Sequence, residues 1–164
     1  MSRSRLVGVL ALTLVLCCSA LAAEAKPAVD LHLQGVLVER TATGVEKTTP
    51  VESVALKPGE TVRYTIVATN HGTDAAIGFK PVAKVPAGTV YEPAGLAESC
   101  AAGHEFSLDG GQTWSASPKV KVQTPAGTVE KPAAPQSYTS LRWIAAKPLA
   151  PKSSCTYTYQ VRVK

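Results

Sequence analysis

Between Thr61 and Asn70 the chain alternates strictly. Val62, Tyr64, Ile66 and Ala68 fall on one face, and Arg63, Thr65, Val67 and Thr69 on the other. A period of two, rich in β-branched and aromatic residues, marks a half-buried strand. Pro58-Gly59 before it suits the central pair of a type II turn, because proline presets φ and glycine accepts a positive one. Asn70-His71-Gly72 closes the far end. This strand is expected at the centre of the fold. The same alternation recurs at Val29–Gln34, at Ser137–Ala145 and at Cys155–Val163, where Cys155, Tyr157, Tyr159, Val161 and Val163 share a face. In the Ser137–Ala145 segment, Leu141 and Trp143 mark the core side. Gly35 interrupts the first strand and predicts a bulge or bend, with a change of apolar face into the Val36-Leu37-Val38 run.

The weaker segments fill in around these. Val45–Leu56 reads as a more polar arm that Pro50 confines to an edge, and Pro81 makes Ala75–Val85 an edge strand or a broken one. Pro86-Ala87-Gly88 turns into Thr89-Val90-Tyr91. Residues 92–103 are expected to be a loop carrying Cys100 and His104 to lie in a loop. Glu105–Leu108 and Thr113–Ser115 are expected to form a hairpin around Asp109-Gly110-Gly111-Gln112. After a short strand at Val120 and Val122, the proline- and alanine-rich stretch 124–136 predicts a long exposed loop. No window beyond the N-terminal run holds helical periodicity over three turns. The fold class expected is all-β: an immunoglobulin-like β-sandwich of about seven to nine antiparallel strands, one domain over residues 29–164.

The first 22 residues look different. Arg3 and Arg5 precede an almost unbroken apolar run from Leu6 to Cys18, and Ala20-Leu21-Ala22 fits a small-x-small cleavage site. The run is shorter than the roughly 20 residues of a membrane span. A cleaved signal peptide over 1–22 and a lead-in over 23–28 are expected, giving an exported chain, periplasmic, cell-surface or extracellular. Cys17 and Cys18 fit lipidation poorly, since Leu16 stands where a small residue belongs. Loss of Arg3 and Arg5 lowers the formal charge from +5 to +3. The lysines are scattered and form no basic stripe with interleaved aromatics, so nucleic acid is not an expected partner. Cys100 and Cys155 then remain as the two cysteines of an exported chain, and such pairs form disulfides.

Leu56-Lys57-Pro58-Gly59-Glu60-Thr61-Val62-Arg63-Tyr64-Thr65-Ile66, then Thr69-Asn70-His71-Gly72 and Val85-Pro86-Ala87-Gly88-Thr89-Val90-Tyr91, resemble the bacterial surface "conserved repeat" domain, known as domain of unknown function eleven. Leu141-Arg142-Trp143 and Leu149-Ala150-Pro151-Lys152 extend the resemblance, which spans about residues 28–164. It implies an immunoglobulin-like sandwich in cell-surface or secreted proteins, and no catalytic residues.

Candidate chemistry is sparse. Ser107-Leu108-Asp109-Gly110-Gly111-Gln112-Thr113-Trp114 matches the Asp-box pattern Ser-x-Asp-x-Gly-x-Thr-Trp. Such a turn is structural: Asp109 accepts backbone N–H groups, Gly111 supplies a positive φ, and Trp114 packs beneath. His32, His71 and His104 show no short ligand spacing, leaving only a site assembled from His104 and nearby acids. No Gly-x-Ser-x-Gly elbow occurs, and nothing marks Glu98 and Glu105 as a matched acid/base pair. Tyr138, Tyr157 and Tyr159 suit core packing first and a sugar platform second. The expected function is therefore non-enzymatic: a cofactor-free envelope or secreted domain contacting an envelope or surface protein through the 92–104 and 124–136 loops or a sheet edge. A carbohydrate-binding module is the alternative, and a small secreted hydrolase or metal-binding protein a weaker one.

Overall fold

The computed structural model describes residues 26–164; the expected signal peptide, Cys17 and Cys18, and the start of the lead-in lie outside the described residues. Ten strands follow in order: β1 (Val29–Arg40), β2 (Glu46–Pro50), β3 (Thr61–Asn70), β4 (Val82–Lys84), β5 (Thr89–Glu98), β6 (Ala101–Ser107), β7 (Lys119–Thr124), β8 (Gly127–Pro132), β9 (Ser140–Ala145) and β10 (Ser154–Val163). One sheet has the order β2-β1-β3-β10-β5 and a second β4-β9-β6, every pair antiparallel, while β7 and β8 form a separate ribbon. The protein is an all-β, immunoglobulin-like sandwich. Among the described residues no helix is long and apolar enough to cross a membrane.

β3 occupies the middle of the large sheet because its inward residues are the right ones: Val62 and Ala68 are fully buried, and Ile66 nearly so. Gly59 before it takes φ 91°, and Glu60 N–H closes the turn on Lys57 O at 3.2 Å. Facing β3 and β10, the small sheet contributes Leu141 and Trp143, both at 0 % exposure. Trp143 packs against Tyr157 and Tyr159 of β10 at ring distances of 5.2 and 6.2 Å. Truncating a buried aromatic of this kind costs about 3–5 kcal/mol.

Asn70 ends β3 and is fully buried. Its Oδ1 accepts the N–H groups of Ala28 (3.1 Å) and Gly72 (3.0 Å), and its Nδ2 donates to the carbonyls of Asp74 (2.7 Å) and Leu149 (2.9 Å). One side chain thus satisfies backbone groups from three segments that converge at this end, in the way buried polar groups require.

Four expectations are corrected. The β1–β3 register runs unbroken from Val29↔Asn70 to Val38↔Thr61, so Gly35 is no bulge and the apolar face does not switch. Residues 92–103 are not a loop, because β5 continues to Glu98 and β6 starts at Ala101. The irregularity is a bulge, where the pairing with β10 jumps from Glu92↔Gln160 to Ala97↔Thr158 across Pro93, which has no N–H to donate. His104 therefore lies in β6 rather than in a loop. Finally, 124–136 is not one long loop: β8 pairs with β7 through Val129↔Val122, and a single 3₁₀ turn covers Pro135–Ser137. Every β8 residue is exposed, so the segment carries no alternating burial signal. This ribbon takes the strand number past nine.

Candidate functional site

The Asp-box turn is a closed hydrogen-bond knot. Ser107 Oγ donates to Asp109 Oδ1 at 2.6 Å and accepts from the N–H groups of Asp109 and Gly111. Asp109 Oδ1 also accepts from Gln112 and Thr113 N–H (3.0 and 2.9 Å), and Oδ2 takes the Thr113 hydroxyl at 2.6 Å. These donors, first the Ser107 and Thr113 hydroxyls and then backbone N–H groups, hold the Asp109 carboxyl well below the usual carboxylate range. Gly111, at φ 99°, sits against the Trp114 ring. A carboxylate with both oxygens engaged is spent on the turn and has no free lone-pair direction for a substrate or ion. Trp114 is half-buried and its face is occupied, since the Arg142 guanidinium lies 4.6 Å from the ring centroid. Arg142 in turn binds Glu105 through Nε (2.7 Å) and Nη2 (2.6 Å).

At the other end of β6, Cys100 and Cys155 are bonded (S–S 2.08 Å), tying the β5–β6 junction to the start of β10. His104 points inward opposite Trp143, its ring 5.2 Å from Phe106, and its Nδ1 lies 3.8 Å from Glu98 Oε1. Glu98 thus faces His104 while Glu105 faces Arg142, so the two glutamates have separate partners. Trp143 Nε1, Tyr157 OH and His104 Nδ1 are buried without a hydrogen-bond partner. His32 is exposed on β1, and His71 Nε2 lies 3.4 Å from Asp30. Among the described residues no three of His, Cys, Asp and Glu are grouped so as to hold a metal ion.

Tyr157 and Tyr159 belong to the interior, and Tyr138 is half-buried against it. Tyr157 and Tyr159 are at 0 and 2 % exposure, and Tyr138 stacks on Phe106 with centroids 4.3 Å apart. Burial, with Tyr138 and Glu98 nearby, pushes the Tyr91 hydroxyl up to about 12. Tyr157 and Tyr159 present no ring face to solvent.

The surface that departs from an ordinary sandwich lies between β1 and β4. The large sheet has five strands and the small one three, two fewer, so part of the inner face on the β1 side has no cover. Leu31 and Leu33 point inward beside Ala68 and Ile66, yet remain 51 and 55 % exposed. With Tyr64 and Ile66 they floor a groove of about 450 Å³, walled by Val82 (48 % exposed) and Pro86. Its back is rigid: Tyr64 stacks on Tyr159 at 5.2 Å, and Tyr159 OH donates to Lys84 O at 3.0 Å, pinning β4 in place.

β4 is also an open edge. Trp143 N–H donates to Pro81 O and Val85 N–H to Thr139 O, so these odd-numbered residues face β9. Val82 and Lys84 consequently turn their main-chain groups away from β9. Of the positions expected to matter, the structure separates Cys100–Cys155 from the Asp-box turn and makes both structural. It brings forward Leu31, Leu33, Val82 and Lys84, which alternation alone marked only as strand residues. No protein-family model, curated protein or solved structure matches this chain.

Proposed function

We propose that this protein is a non-enzymatic, exported immunoglobulin-like domain that works at the cell envelope or outside the cell by contacting another protein. The observation that carries the reading is the uncovered apolar face of Leu31 and Leu33 beside the open edge of β4. Exposed apolar surface of this kind, rimmed by polar residues, marks interaction sites. The Cys100–Cys155 bond fits an oxidising compartment, as do the leader-like residues 1–22. The resemblance to the conserved-repeat surface domain points the same way. The best-placed carboxylate, Asp109, is consumed by its own turn, which weighs against hydrolysis.

The test is affinity capture from envelope fractions, comparing wild type with Leu33→Glu, together with osmotic-shock fractionation. A partner captured by wild type and lost with Leu33→Glu, from a protein released by shock, supports the proposal. Equal capture by both, or retention in the cytosol, overturns it.

A further inference from the structure

We infer that the β1–β4 groove takes one extended strand of a partner, added antiparallel to β4, and that this strand follows the pattern acidic–apolar–any–apolar–acidic. The inference rests on the proposed contact function and specifies its chemistry.

Three observations select a strand over other occupants. First, the main chain of Val82 and the N–H of Lys84 are directed away from β9, offering ladder groups that an added strand pairs with, while Lys84 O is held by Tyr159 OH. Second, the apolar floor is narrow. At about half exposure each, Leu31 and Leu33 present on the order of 200 Å², well short of the roughly 800 Å² per partner of a stable protein–protein interface. A folded domain needs more; a single strand does not. Third, the charge is one-sided. β4 is bracketed by Lys80 and Lys84, both exposed and in no ion pair among the described residues.

The lysines also disfavour a second copy of this chain in the register that centres on Val82. Antiparallel pairing of β4 with itself about Val82 sets Lys80 of one copy against Lys84 of the other, and like charges directly opposite destabilise a ladder. A foreign strand with acids four residues apart meets both lysines favourably. Side-chain direction fixes the rest of the pattern. Alternation puts Lys80, Val82 and Lys84 on the outer face and Ala83, which is buried, on the inner one. Opposed residues share a face, so the partner's acids and the residue midway between them point outward, and the two apolar residues beside that one point inward onto Leu31 and Leu33.

The probe is a fluorescein-labelled peptide, Ser-Glu-Val-Thr-Val-Glu-Ser, titrated by anisotropy against the 23–164 chain. Controls are a permuted peptide with valines in the outward positions and one with lysines replacing both glutamates. Saturable binding is expected for the first peptide only, weakened about tenfold or more by Leu33→Ser. That variant changes a half-exposed side chain, and its fold is checked by circular dichroism. Lys80→Glu combined with Lys84→Glu should lose the acidic peptide and gain the lysine peptide, while Lys84→Glu alone should bring the two peptides close to equal. Amide exchange by NMR should show Val82 and Lys84 newly protected. Equal binding of acidic and permuted peptides, absence of binding at millimolar peptide, or a dimer in light scattering without peptide would overturn the inference. If the peptide fails while Leu33→Glu still abolishes capture from envelope fractions, strand addition alone falls and the contact function stands.

Discussion

The ring of Tyr64 rests on the bare α-carbon of Gly35, where a Cβ would lie 2.8 Å from a ring carbon and 3.0 Å from the Val51 methyl. Glycine is there for close approach, not for turn geometry, since the β1–β3 ladder passes through it undisturbed. Gly35→Ala must displace the ring that floors the groove and stacks on Tyr159. A loss of about 1–3 kcal/mol in denaturant unfolding is expected, with altered near-ultraviolet circular dichroism from the tyrosine stack. An unchanged midpoint and spectrum would contradict that packing.

Asn70 joins three segments through four hydrogen bonds in a fully buried position. Asn70→Ala strands those backbone groups, and on the order of 3 kcal/mol of stability should be lost. Asn70→Asp should be no better than alanine, because a carboxylate cannot donate to the carbonyls of Asp74 and Leu149. Urea titration of the two variants reads both expectations.

The Cys100–Cys155 bond closes a separation of 55 residues. In the chain-entropy account such a closure stabilises by up to about 4 kcal/mol. Reduction, or Cys100→Ser with Cys155→Ser, should lower unfolding free energy by about 2–4 kcal/mol. Intact mass before and after reductant should differ by two hydrogens.

Asp109 sets an acid limb on stability. Its folded carboxyl titrates well below the unfolded value near about 4. The contribution of a depressed acid is complete above the unfolded value and is lost as pH falls below it. Thermal midpoints should therefore hold from neutral pH down to about 5 and then decline. In Asp109→Asn the neutral-pH midpoint should drop by several degrees, since an amide nitrogen would meet the Thr113 donors, and the acid decline should flatten. A parallel pH profile in the variant would remove Asp109 as its source.

Tyr157 carries the opposite expectation. Its hydroxyl is buried without a hydrogen-bond partner, so removing it takes away a desolvated group and no bond. Tyr157→Phe should leave stability unchanged or raise it by up to about 1 kcal/mol. A clear loss would mean that the hydroxyl is bonded in solution.

The strands legible in sequence are those with one buried and one exposed face. β3, β9 and β10 announce themselves because Val62, Ile66, Leu141, Trp143, Tyr157 and Tyr159 alternate with polar neighbours. Val120 and Val122 mark β7, but its partner β8 is silent for the converse reason, since it has no buried face to pattern. Gly35 misleads, because a glycine under an aromatic ring and a glycine in a bulge look alike in one dimension. Asn70 reads as a turn residue, and nothing local reveals that its four partners arrive from elsewhere. The groove is the deepest case. Leu31 and Leu33 carry an ordinary strand signature, and their exposure follows from the unequal widths of two sheets, a property of the assembled fold.

The ribbon has a practical corollary. It stands off both sheets, braced at its base by Ala133 N–H donating to Pro118 O at 2.8 Å. A dye or epitope spliced between Pro125 and Ala126 would ride at its tip, away from every tertiary contact named above. The domain thus offers a built-in handle for imaging or immobilising it without touching the β1–β4 groove.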